Sequence, residues 1–256
     1  MSRLGRVRAE VGAAWHGFVR RRTAVFFTFF FPVLLIAIFA GLVRTSGGGT
    51  GLFSKPTGYY VPAYLAVVVL FTPLSRVGSE VARHRDDNRF EKLATTPLRR
   101  WEWLLAETVV NAALIALASA LLLGVLVLVG AEFALSPWLV LYVPAASALF
   151  CGVGAMLGAL ADSQDGAVAA SNGVALPLLF LSSTFLAPES LPGWFAPVMN
   201  LSPLTYFARG VRTATYASSE AAPGAVVHGA AANFAVLAVV TVAAFAVGAA
   251  LVPWTE

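Results

Sequence analysis

Arg83-His84-Arg85-Asp86-Asp87-Asn88-Arg89-Phe90-Glu91-Lys92-Leu93-Ala94-Thr95-Thr96-Pro97-Leu98-Arg99-Arg100 is a charged island in an apolar chain. Nine of its eighteen side chains are formally charged, against 12% of the 256 residues overall. On membrane-insertion scales each Arg, Lys or Asp costs about 3 kcal/mol at mid-bilayer, so hiding this island in lipid would cost roughly 25 kcal/mol. It must lie in water, between two apolar segments.

Working outward, the surrounding chain is 59% hydrophobic, with a mean hydropathy of +0.79. Soluble domains hold only about 45–50% apolar residues, and a soluble fold of this length could not bury the excess. Lipid is the alternative solvent, and a span in it needs about 20 apolar residues. The expectation is an all-α integral membrane protein with six transmembrane helices, at about 23–43, 59–77, 104–129, 138–160, 167–186 and 230–252. Residues 1–22 form a basic amphipathic helix, with Leu4, Val7, Val11, Trp15 and Phe18 at helical spacing. Such a helix lies in the membrane interface. Tyr59, Tyr60 and Tyr64 open the second span and Trp101 and Trp103 precede the third, as aromatic belts at the interface do. The stretch 187–208 is too apolar for a free loop. Pro188, Pro192, Pro197 and Pro203 nevertheless preclude one continuous helix through it. Non-helical backbone at membrane depth is tolerated where protein or a water-filled cavity covers it.

Thirteen of the seventeen basic residues fall in the N-terminal arm and the connection between spans two and three. By the positive-inside rule both termini and the island are cytoplasmic. The net charge of +4 thus belongs to a membrane face and implies no nucleic-acid partner. One cysteine, Cys151, rules out an intramolecular disulfide and a cysteine metal cluster.

Within the island Phe90, Leu93 and Ala94 share one face of a short helix, with Arg89, Glu91 and Lys92 elsewhere. Pro97 disfavours helical geometry at Thr96 and stops it. Two helical turns are not stable alone in water, so either the rest of the protein or a partner's groove must hold them.

Glu91-Lys92-Leu93-Ala94-Thr95-Thr96-Pro97-Leu98 resembles the E-x-L-x-x-T-P-L segment after the second span of ABC-2-type transporter permeases. Leu191-Pro192-Gly193-Trp194, followed by Asn200-Leu201-Ser202-Pro203-Leu204-Thr205-Tyr206, Arg209 and Arg212, is similar to that family's stretch between spans five and six. Arg85–Phe90 departs from the family's usual Arg-Glu-Arg-Gly-Thr. The resemblance covers essentially the whole chain. It implies a membrane subunit that dimerises, with itself or with a second permease. It also implies a coupling helix carrying Arg89, Phe90, Glu91, Lys92, Leu93, Thr96 and Pro97, seated on a separate ATPase subunit that binds ATP and Mg. A re-entrant region would hold Pro192, Trp194, Asn200, Pro203, Tyr206, Arg209 and Arg212. The implied function is export of an amphipathic, drug-like, lipid or polysaccharide substrate across the cell membrane.

The chain carries no signature of its own chemistry. It lacks a G-x-x-x-x-G-K-[ST] phosphate loop and an H-E-x-x-H metal motif, so no cofactor, metal or catalytic residue is expected. Asp165 reads as the cap of span five. Asn111 and Asn172 are the polar residues inside spans, as interhelical hydrogen-bonding groups or as pathway contacts. Glu107 reads as interfacial, pairing Arg99 or Arg100. Gly154 and Gly158 form a small-residue packing face in span four. Two other functions stay open. An ion-gradient-driven carrier is disfavoured by the scarcity of intramembrane charge, and a non-transporting assembly factor has no site of its own to support it.

Overall fold

The computed structural model describes residues 2–45, 56–185, 193–216 and 223–254. Gly47–Gly49, Lys55, Pro188, Leu191 and Pro192 lie outside the described residues. The described residues are helical, without a strand. In order they are α1 (Arg3–Val19), α2 (Arg22–Thr45), a 3-10 turn (Thr57–Tyr60), α3 (Val61–Asp86), α4 (Arg89–Ala94) and α5 (Arg100–Leu128). Then come α6 (Trp138–Leu160), α7 (Gln164–Phe180), α8 (Phe195–Met199), α9 (Pro203–Thr215) and α10 (Pro223–Leu251). Four helices, those ending at Asp86, Leu128, Leu160 and Leu251, are each long and apolar enough to cross a membrane. The α1–α2 pair meets the same test jointly, bent by 81°.

Helix α3 is the centre of the bundle. Its apolar window is 78% buried inside the molecule, whereas that of α10 is 17% buried and faces outward. Close approach of α3 and α6 depends on glycine. A Cβ on Gly154 would come within 2.6 Å of the Leu74 carbonyl oxygen, and one on Gly158 would strike the Gly78 carbonyl. The small-residue face is therefore a packing seam, and Leu65, Leu70, Leu74 and Phe150 fill the core around it. Outward, α10 shows Val236, Val239, Val242 and Val247, and α5 shows Val109, Leu117 and Leu121. A solvent of lipid suits such surfaces and water does not.

Several boundaries differ from those read in sequence. Helix α3 continues to Asp86, about 39 Å at 1.5 Å per residue, and so outruns a hydrocarbon core of about 30 Å. Helix α7 stops at Phe180, six residues early. There the Ser182 and Thr184 hydroxyls both donate to the Leu179 carbonyl and compete with the helical backbone bonds. The cap of α7 is Ser163, whose Oγ accepts from the Gly166 amide at 3.1 Å, and Asp165 merely sits in the first turn.

The aromatic belts need correction too. Trp101 is exposed, but Trp103 is completely buried, because it lies on the opposite side of α5 from Trp101 and points into the bundle. Tyr59, Tyr60 and Tyr64 are likewise buried: the 3-10 turn sets Tyr59 against Arg212 of α9 and Tyr216 just after it, and Tyr64 lies in the core on the first turn of α3.

Candidate functional site

The charged island folds into a small platform. Asn88 takes a left-handed conformation (φ 52°), which Asn tolerates better than most residues and which reverses the chain between α3 and α4. Phe90 then drops into an aromatic box made by His84, Trp103 and Trp254, with ring centroids 5.2, 5.1 and 5.7 Å away. It is 3% exposed, and Leu93 is half-buried beside it. Of the two supports that sequence left open, the protein itself supplies this one. Arg89, Glu91, Lys92, Thr95, Thr96 and Pro97 stay exposed on the outer side. The Thr96 hydroxyl donates to the Leu93 carbonyl at 2.6 Å, so α4 ends where Pro97 requires.

An ion-pair network ties the platform to α1 and to Arg21 in the link between α1 and α2. Glu102 accepts from the Arg99 amide at 2.9 Å, capping α5, and also from Arg6 of α1 at 2.6 Å. Glu80 pairs with Arg83 and, at 3.3 Å, with Arg21. Glu107 is buried against Arg76 at 3.1 Å; its distance along α5 takes it away from Arg99 and Arg100, the partners expected for it. Arg21, Arg76, Glu80, Arg83 and Glu107 line a polar cavity of about 150 Å³ under α1, with Glu10 among its walls. Burial, and secondarily the Glu80 carboxylate, push the Glu10 carboxyl above its ordinary value.

Beside the network an open-sided cleft of about 390 Å³ runs between α2, α3 and α7. Phe27 and Phe31 of α2 and Phe71 of α3 give it aromatic walls. Thr72, Ser75 and Ser79, at i, i+3 and i+7 on α3, give it a hydroxyl stripe, and Asn172 of α7 faces it. Arg21 and Arg76 line one end. The two asparagines thus part company. Asn172 is exposed in the cleft, whereas Asn111 is buried and spends its amide on the Glu107 carbonyl of its own helix at 2.8 Å. The hydroxyl stripe was missed in the sequence, although the helical spacing of Thr72 and Ser75 inside span two, with Ser79 just beyond it, was the available signal.

The described residues on and around α8 and α9 are tied down locally. Tyr206 donates to the Asn200 carbonyl at 3.0 Å, and Arg209 to the Asn200 side chain at 2.8 Å. Pro203 opens α9, where a missing N–H costs nothing. Arg212 lies 4.2 Å over the Tyr59 ring and donates to the Ser183 and Thr184 carbonyls at 2.7 and 3.1 Å. Trp194 is largely exposed.

A bundle of long apolar helices with an outward-charged platform and a lateral cleft has the build of a multi-pass membrane protein. The profile of the ABC-2 type transporter family matches residues 7–216, and the chain belongs to that family. It is a transporter's membrane component and not itself catalytic. No curated protein of similar sequence is found.

Proposed function

We propose that this chain is the permease subunit of an ATP-driven exporter of the cell membrane, with α2, α3, α5, α6, α7 and α10 as six spans and both termini cytoplasmic. Two permeases, identical or different, work with a separate ATPase that binds ATP and Mg. The ATPase seats on the exposed side of α4. Its closure pushes the platform and rocks the helices around the cleft, through which an amphipathic substrate leaves; α8 and α9 form the re-entrant region at the far side.

The observation that carries this reading is the burial of Phe90. A six-residue helix boxed in by aromatic rings moves with α3 and α5 as a body, so force on Arg89, Glu91, Lys92, Thr95 and Thr96 reaches the spans. The test is charge reversal on that outer side. Glu91→Lys with Lys92→Glu, in the reconstituted permease–ATPase complex, should abolish ATP-driven transport while the permease keeps its thermal stability. Undiminished transport would refute the seat.

A further inference from the structure

Among the described residues, the cleft between α2, α3 and α7 shows charge of one sign only. Arg21 and Arg76 face it, and among the described residues no carboxylate lines it. Their counter-ions Glu80 and Glu107 line the neighbouring cavity under α1 instead. A guanidinium has five N–H donors, and each arginine meets its carboxylate through a single nitrogen. Arg21 is 39% exposed. Donors are therefore left for a ligand at this end. Beyond the arginines the walls are Phe27, Phe31 and Phe71, faced by the hydroxyls of Thr72 and Ser75. The volume of about 390 Å³ falls within the range of about 300–1,000 Å³ that small-molecule sites occupy.

Two cations closing one end of an aromatic-walled cleft are complementary to an anion attached to an apolar body. A cationic amphiphile would bring like charge against Arg21 and Arg76. A bare inorganic anion would leave the aromatic walls unused. We propose that the cleft selects a small anionic amphiphile, with its phosphate or carboxylate on Arg21 and Arg76 and its apolar body along Phe27, Phe31 and Phe71. The proposal rests on the cleft being the substrate path of a permease.

The full-length permease, without ATPase, in nanodiscs of zwitterionic lipid provides the test. Calorimetric titration with dodecyl phosphate should show binding at least tenfold tighter than with dodecyltrimethylammonium. Arg21→Gln should weaken dodecyl phosphate about tenfold, and Arg76→Lys, which keeps the charge beside Glu107, should weaken it less. Arg209→Gln, remote from the cleft, should change nothing. Equal binding of the cation, or no effect of Arg21→Gln, would overturn the proposal. So would competition by inorganic phosphate alone, which marks a plain anion site. Loss of binding in discs containing phosphatidylglycerol would show that a resident lipid headgroup owns the site, and would overturn it as well. The two readings fail separately. Anion selectivity without ATP-driven transport sinks the coupling scheme, and ATP-driven transport without anion selectivity sinks this one.

Discussion

Trp254 and Phe90 meet ring to ring, centroids 5.7 Å apart with planes at 38°, so the segment after α10 helps to hold α4. Nearby, Arg100 at the start of α5 ties to the last turn of α10, donating to the Ala250 carbonyl at 3.2 Å. Trp254→Ala should remove one wall of the box and cost about 3 kcal/mol, as truncation of buried aromatics does. Amide exchange over residues 89–94, read by mass spectrometry, should speed up more than tenfold while exchange in α6 is unchanged. Unchanged protection of α4 would show that Trp254 does not support it.

Phe90 and Lys92 are two residues apart on α4 and should fail in different ways. Phe90→Asp places a carboxylate among the His84, Trp103 and Trp254 rings and removes the ring that fills the box, so the charge is desolvated and the packing is lost together. Loss of folded protein, seen as a lower melting temperature and aggregation in detergent, is the expected outcome. Lys92→Glu acts on an exposed side chain and should leave the melting temperature within about 1 °C, since surface changes rarely exceed about 0.5 kcal/mol. A Phe90→Asp protein as stable as the parent would contradict the box.

The contrast shows where sequence was informative. The island's charge and the stop at Pro97 were readable, because the cost of burying charge and the geometry before proline are local properties. Which way Phe90 points was not, because its box is assembled from α3, α5 and the residues after α10. Glu107 was misassigned for the same reason: its partner Arg76 lies on another helix, and spacing along one chain favoured Arg99 and Arg100. Tyr59 and Trp103 matched an interfacial pattern by composition, yet the bundle folds both inside. Gly154 and Gly158 were legible, since an i, i+4 pair of small residues on an apolar helix serves close packing in any fold that brings a neighbour near.

Gly158→Ala should destabilise the α3–α6 seam, because the added Cβ meets the backbone carbonyl of Gly78 and backbone yields less readily than a side chain. Overpacking of this kind costs about 1–3 kcal/mol. Gly173→Ala on α7 is the control, since its Cβ would enter open space. Thermal unfolding of the two proteins in the same detergent should separate them by several degrees, with Gly173→Ala at or above the parent. Equal melting temperatures would place the seam elsewhere.

Arg212 joins three elements that are far apart in sequence: the 3-10 turn through Tyr59, the segment just after α7 through Ser183 and Thr184, and its own α9. A planar guanidinium can lie on a ring and still donate in its plane to two carbonyls, which an ammonium cannot reproduce. Arg212→Lys should therefore behave much like Arg212→Ala despite keeping the charge, with each losing about 1–2 kcal/mol. Exchange over residues 203–215 and 179–185 should rise together in both variants, because one side chain fixes both segments. A lysine that fully restores protection would reduce the tie to simple charge, and independent responses of the two segments would show that Arg212 does not couple them.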